Sequence, residues 1–171
     1  MSVLQNLIAL LILKAAPQDL PYSTQLAVKL IAGYVFSGII VLQTTVNPDD
    51  LIQGMLLGLL IQLVFTYAVL RALGRSERFV QTLSAIIGVG VLFNFIAWPV
   101  LSMLNDVTAS DTMRSSLSLV FLMVMSWEVL VKAHIYKHAL EMKMFSALAL
   151  SFSLFFISIA LSQLFFPAAS S

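Results

Sequence analysis

Residues 51–104 read LIQGMLLGLLIQLVFTYAVLRALGRSERFVQTLSAIIGVGVLFNFIAWPVLSML, and this stretch decides the fold. Two apolar runs, 51–73 and 79–104, flank a short turn that holds three arginines. Each run reaches the roughly 20 apolar residues that a helix needs to cross a bilayer. The stretch therefore predicts two membrane-spanning helices joined by a basic turn. The arginines of this turn are Arg71, Arg75 and Arg78.

The composition of the whole chain agrees with a membrane protein. Of the 171 residues, 60% are hydrophobic and 10% are charged, whereas soluble domains carry about a quarter charged residues. A single core of this length cannot hide so much apolar surface from water, so lipid must cover the rest. The net charge of +1 argues against nucleic acid as a partner. The absence of cysteine excludes disulfides, thiolate nucleophiles and cysteine metal sites.

Three more apolar runs complete the predicted fold, at about 24–43, 115–135 and 144–166. Each is long enough to span a bilayer. Together with 51–73 and 79–104, they predict an all-α bundle of five transmembrane helices, forming a single integral membrane domain.

The N-terminal run differs from these because its uninterrupted apolar part is too short to span. Residues 3–16 therefore predict a short interfacial helix that ends before Pro17. A cleaved signal peptide is less consistent with the sequence, since a basic n-region is missing and Lys14 replaces the small residue before a cleavage site. We expect this segment to stay on the mature protein.

Basic residues predict the orientation. Five spans put the two termini on opposite sides of the membrane, and eight of the nine basic residues then share the side of the N-terminus. By the positive-inside rule, the N-terminus and the basic turn are cytoplasmic, the C-terminus lies on the opposite side, and a bacterial inner membrane is the expected location. Only Arg114 falls on the far side; the eight others are Lys14, Lys29, Arg71, Arg75, Arg78, Lys132, Lys137 and Lys143.

This layout resembles a known family. The N-terminal segment ends at Pro17, span three begins with Gly74-Arg-Ser-Glu-Arg-Phe-Val-Gln-Thr-Leu-Ser84 and has Pro99 near its far end, and span four closes with Ser126-Trp-Glu-Val-Leu-Val-Lys-Ala-His134. The pattern resembles the Yip family, named for interaction with Ypt/Rab GTPases, and more closely its short prokaryotic relatives. The resemblance implies a five-span fold and a membrane location. The longer cytosolic region of the eukaryotic members does not precede span one here, so Rab binding does not carry over.

Among the polar residues inside the predicted spans, four are intramembrane candidates, namely Gln62, Asn94, Glu128 and Lys132. We expect Glu128 about two turns inside the cytoplasmic end of span four. Lys132 follows at i+4, the favourable Glu-before-Lys order, and predicts an ion pair on the helix surface with the lysine reaching to the interface. An ion or proton relay at Glu128 is the alternative, because acids inside membranes are functional candidates.

Three weaker patterns complete the set of candidate sites. His134, His138 and Glu141 share one face of a helix and could hold a metal ion, but we expect a polar helix end and predict neither metal nor cofactor. The GxxxG of Gly54 and Gly58 could let another helix approach closely. The arginine turn could bind anionic lipid or an acidic partner, although topology alone explains it.

Two functional classes remain open. The first is a non-catalytic scaffold that organises membrane lipids or protein partners, or that associates with itself. The second is a small transporter or channel subunit built around Gln62, Asn94 and Glu128. An enzyme is not expected, because no serine or histidine is paired with an acid and no phosphate loop is present. Polar residues gathered on one face would favour transport, and scattered ones would favour the scaffold.

Overall fold

The computed structural model describes residues 2–43, 48–106 and 108–165. These residues form an all-α structure without strands, which confirms the predicted fold class of five long apolar helices plus a short N-terminal helix. Single turns of 3-10 helix occur at Pro17–Asp19 and Ser76–Arg78. The helices are α1 (Val3–Leu11), α2 (Thr24–Leu42), α3 (Pro48–Ala72), α4 (Phe79–Leu104), α5 (Asp111–Leu140) and α6 (Met144–Phe165).

Helices α2 to α6 are each long and apolar enough to cross a membrane. The chain is therefore a polytopic membrane protein with five spans. Helix α4 begins and ends where the sequence predicts, whereas α5 covers 30 residues instead of the predicted 115–135. The prediction ended this helix where charged residues begin. The helix continues because basic side chains such as Lys137 and His138 interact favourably with a helix C-terminus.

Helix α4 is the centre of the bundle. Its residues 82–90 are buried without a break, so this segment is covered on all faces. Helices α1, α2, α3 and α5 all pack against it. Two glycines let neighbours come close: a Cβ at Gly88 would lie 2.5 Å from a methyl of Leu7, and one at Gly90 would lie 2.9 Å from the ring of Tyr34.

Helix α1 is shorter than the predicted 3–16 and packs into the bundle instead of lying beside it. It ends at Leu11, after which Leu13 takes a left-handed conformation and the Lys14 N–H donates to Ala9 O, as in a C-capping motif. Leu7 is buried against Gly88, which lies about 14 Å along α4 from its first residue. The segment thus reaches well inside the length of the central span.

Side chains of α5 bind the carbonyls that the end of α1 leaves free. Trp127 Nε1 donates to Leu11 O at 3.0 Å, and His134 Nε2 lies 2.9 Å from Ala15 O. A carbonyl can only accept, so His134 carries its proton on Nε2. At membrane depth, a backbone group outside a helix needs a partner within the protein, and these two side chains supply one. His134 therefore has a structural partner.

Candidate functional site

A cavity of about 180 Å³ lies between α2, α3, α5 and α6. We call it the polar cavity, because it is lined by Gln62, Glu128 and Lys132, three of the four intramembrane candidates. Its lining residues are Tyr34, Gly58, Gln62, Met125, Glu128, Val129, Lys132, Ser151, Leu154, Phe155 and Ser158.

The polar cavity lies near the middle of the spans. Glu128 is twelve residues from the end of α5 at Leu140, or about 18 Å along the helix. Gln62 is ten residues from the end of α3 at Ala72, or about 15 Å. The predicted position of Glu128, two turns inside the end of span four, is corrected to more than three turns because α5 is longer than predicted.

Glu128 and Lys132 form the predicted ion pair, with Lys132 Nζ 2.7 Å from Glu128 Oε1. The pair does not lie on an open helix surface. The two side chains are 20% and 16% exposed, and both face the polar cavity. The predicted extension of Lys132 to the interface is therefore replaced by a contact inside the bundle. Charges in such surroundings are stable only when they are paired, and the two charges of this site cancel.

Gln62 adds an unused hydrogen-bond donor to the same site. The residue is 6% exposed, and within the described part of the chain its Nε2 has no hydrogen-bond partner. Leaving a buried amide unpaired costs about 1–3 kcal/mol. A carboxylate, a carbonyl or a water in the polar cavity would supply the missing acceptor.

Two serines of α6 complete the polar lining. Ser151 Oγ donates to Val129 O at 2.7 Å, and Ser158 Oγ donates to Leu154 O at 2.8 Å. Their protons are used within the protein, so each hydroxyl can offer only an acceptor to the cavity. The lining residues that can offer donors are Lys132, Gln62 and the hydroxyl of Tyr34.

A buried hydrogen bond joins α3 and α5 one turn from Gln62 and Lys132, on the side of the arginine turn. Thr66 Oγ1 and Tyr136 Oη are 3.0 Å apart, and both residues are completely buried. Thr66 lies one turn beyond Gln62, and Tyr136 one turn beyond Lys132. Sequence reasoning did not identify this pair, although the i+4 spacing on both helices was a signal that could have done so.

Asn94 stands apart from the polar cavity. Its Nδ2 donates to Ser37 Oγ at 2.9 Å, and Ser37 Oγ donates to Tyr34 O at 3.0 Å. The first of these bonds joins α4 to α2, and the second lies within α2. A site built around Gln62, Asn94 and Glu128 is therefore corrected: Asn94 supports α2, and Tyr34, which sequence reasoning missed, lines the cavity instead.

The arginine turn binds the end of α5. Arg75 pairs with Glu141, and Arg78 contacts Glu141 Oε1 at 2.5 Å while its other Nη donates to Ala139 O at 3.0 Å. We call Glu141 and its two partners the arginine cluster. The hydrogen bond from Arg78 is the main reason that the pKa of Glu141 lies below its ordinary value. This intramolecular role was not predicted; Arg71, the third arginine, is exposed.

The metal-site candidates do not come together. Glu141 has a φ of 55° and ends α5, so it leaves the helical face of His134 and His138 and turns to the arginine turn. The two histidine rings lie 4.5 Å apart. Among the residues that the structure describes, no group of three or more potential ligands is close enough to hold a metal ion.

Gly54 and Gly58 have open space in front of them. A Cβ at either position would meet no atom within 4 Å in the part of the chain that is described. Gly58 borders the polar cavity. Among the described residues, the GxxxG therefore makes no close helix contact, and contact with a second chain stays a prediction.

Comparisons of the chain with family models, with curated proteins and with solved structures gave no match. The Yip resemblance therefore stays a prediction.

Proposed function

We propose that the protein binds a small polar solute or ion in the polar cavity and acts as a small, non-catalytic transporter or channel subunit. One observation carries this proposal: an ion pair and an amide nitrogen that has no hydrogen-bond partner among the described residues converge on a cavity in the middle of the spans. Ionisable residues inside spans are costly, at about 2.5–3.5 kcal/mol each on insertion scales, and they mark solute pathways. Polar residues gathered on one face favour transport over a scaffold, and Gln62, Glu128 and Lys132 line one cavity.

A scaffold that organises membrane lipids or protein partners is the second candidate. The resemblance to the Yip family supports it, and so does the open space in front of Gly54, where a second chain could pack. A scaffold assigns no role to the polar cavity, which is why we rank it second.

For location, we propose a bacterial inner membrane with the arginine turn in the cytoplasm and the C-terminus on the opposite side, from the distribution of basic residues. Reporter fusions after Arg78 and after Lys143 should both report cytoplasm, and a fusion after Ser171 the opposite side. A cytoplasmic C-terminus would contradict this proposal.

The transport proposal requires that water reaches the polar cavity. The chain has no cysteine, so single cysteines can be introduced without background. Ser158 borders the cavity, whereas Ser153 is exposed on the outer surface of α6, and both hydroxyls bond to the carbonyl four residues earlier. They are a matched pair. In liposomes, a charged, membrane-impermeant thiosulfonate should modify Ser158→Cys faster than Ser153→Cys, because thiolate forms only in contact with water. Equal resistance at both positions would favour the scaffold.

A further inference from the structure

We propose that the polar cavity binds a small α-amino acid, with its ammonium on Glu128 and its carboxylate on Lys132 and Gln62. This inference rests on the proposed function and names its substrate class.

The charge balance of the site favours a zwitterion. Glu128 and Lys132 neutralise each other at 2.7 Å, so the pair itself carries no net charge. A cation on Glu128 would leave Lys132 without its partner in the middle of the span, and an anion on Lys132 would do the same to Glu128. An unpaired charge in such a place is strongly unfavourable. A ligand with both charges lets each side chain exchange one partner for another.

The geometry of the pair favours an α-amino acid among zwitterions. The charged groups of Glu128 and Lys132 lie side by side, in direct contact. An α-amino acid carries its ammonium and carboxylate on one carbon atom, so its charges have a similarly short separation. Its ammonium can contact Glu128 while its carboxylate contacts Lys132.

Gln62 offers a hydrogen-bond donor to the carboxylate of the ligand. Its Nε2 is buried beside the polar cavity with two hydrogens to donate and, among the described residues, no acceptor. A carboxylate can use one oxygen for Lys132 and the other for Gln62. Neither an amine nor a metal ion would satisfy this donor.

The volume limits the side chain of the ligand. An engineered protein cavity of about 150 Å³ binds benzene, so about 180 Å³ suits a ligand of slightly larger size. Glycine, alanine and serine fall within this limit, and phenylalanine exceeds it. Apolar residues on the same wall, including Leu154 and Phe155, suit a methyl better than a further charge.

Calorimetry on the full chain in lipid nanodiscs tests the proposal, with glycine, alanine, phenylalanine, methylammonium and acetate as probes. We expect glycine and alanine to bind, and methylammonium, acetate and phenylalanine to bind at least ten-fold more weakly. Methylammonium or acetate binding as tightly as alanine would overturn the proposal, because one charge would then suffice.

Variants locate the binding. Gln62→Leu removes the unpartnered donor while filling similar space, and it should weaken alanine binding about ten- to a hundred-fold. The double variant Glu128→Gln/Lys132→Met leaves no lone charge and should abolish binding. Lys29→Met, on the exposed side of α2, is the control and should bind as the parent does. Unchanged binding in Gln62→Leu overturns the proposal even if the double variant fails to fold.

Cysteine labelling separates the two levels of inference. If no amino acid binds but Ser158→Cys is labelled from water, the substrate class is wrong and the proposed function stands. If neither result is positive, both are wrong.

Discussion

Helix α5 carries two carboxylate–cation contacts in different surroundings. Glu128 and Lys132 meet inside the span and are 20% and 16% exposed. Glu141 meets Arg75 and Arg78 beyond the end of the helix and is 52% exposed. Both contacts join a carboxylate to basic side chains, but the cation is one lysine inside and two arginines outside, and the exposure differs as well.

That difference separates an ion pair that holds structure from one that is available for binding. At the arginine cluster, water screens the charges, and Arg78 also caps α5 through Ala139 O. In the polar cavity, each charge depends on the other, and the adjacent space can admit a new partner. Loss of one member should therefore matter far more inside than outside.

The largest expected effect is that of Lys132→Met. It leaves Glu128 without a partner, and removing one member of a buried pair costs about 3–5 kcal/mol. Denaturant unfolding in detergent should show this loss, and Glu128→Gln in the same background should restore most of it. Lys29→Met, which removes an exposed lysine from α2, is the control. A Lys132→Met protein as stable as the Lys29→Met protein would show that water surrounds the inner pair.

The sequence predicts the inner pair but not its surroundings. The i+4 spacing of Glu128 and Lys132 is enough to predict their contact, and hydropathy places α4 at Phe79–Leu104. The polar cavity also needs Tyr34 and Ser158, which come from α2 and α6. The faces that α2 and α6 turn toward the cavity depend on how the helices pack around α4. Hydropathy alone does not predict this packing.

The same limit explains the errors at helix ends. Helix α1 is too short to span, which the sequence shows, but its packing depends on Leu7 meeting Gly88. After the helix ends, the side chain of Glu141 contacts Arg75 and Arg78 of the arginine turn and not the histidines. Both results depend on residues distant in sequence.

The hydrogen bond between Thr66 and Tyr136 provides an uncharged buried pair to compare with the two ion pairs. Tyr136→Phe removes the hydroxyl that bonds Thr66 and leaves a buried polar atom unpaired, which costs about 1–3 kcal/mol. Thr66→Val removes that atom too, so the double variant should be more stable than Tyr136→Phe alone. A double-mutant cycle by denaturant unfolding measures the coupling. Strictly additive losses would mean that the two hydroxyls are not partners.

Within the arginine cluster, Arg78 should matter more than Arg75. Arg78 is 22% exposed and bonds both Glu141 and Ala139 O, whereas Arg75 is 35% exposed and pairs with Glu141 alone among the contacts described. We expect Arg78→Gln to lower the free energy of unfolding by about 1–2 kcal/mol, and Arg75→Gln by less. Equal losses would indicate that the capping bond contributes nothing.

The smallest expected effect is the pH dependence of the arginine cluster. The pKa of Glu141 is depressed from its ordinary 4.5, first by its hydrogen bond from Arg78. A depressed pKa in the folded state stabilises the protein above pH 4.5, and this contribution disappears as pH falls through the lower folded value. Glu141→Gln should therefore be slightly less stable than the parent at pH 7, and the difference should vanish in acid. The pKa of Asp106 is also depressed, by hydrogen bonds from Thr108, so Asp106 could contribute a similar pH dependence. Asp106→Asn is therefore the control. With Asp106→Asn present, the stability difference between Glu141 and Glu141→Gln should still depend on pH. An unchanged difference from pH 7 down to pH 3 would show that charge at Glu141 does not stabilise the end of α5.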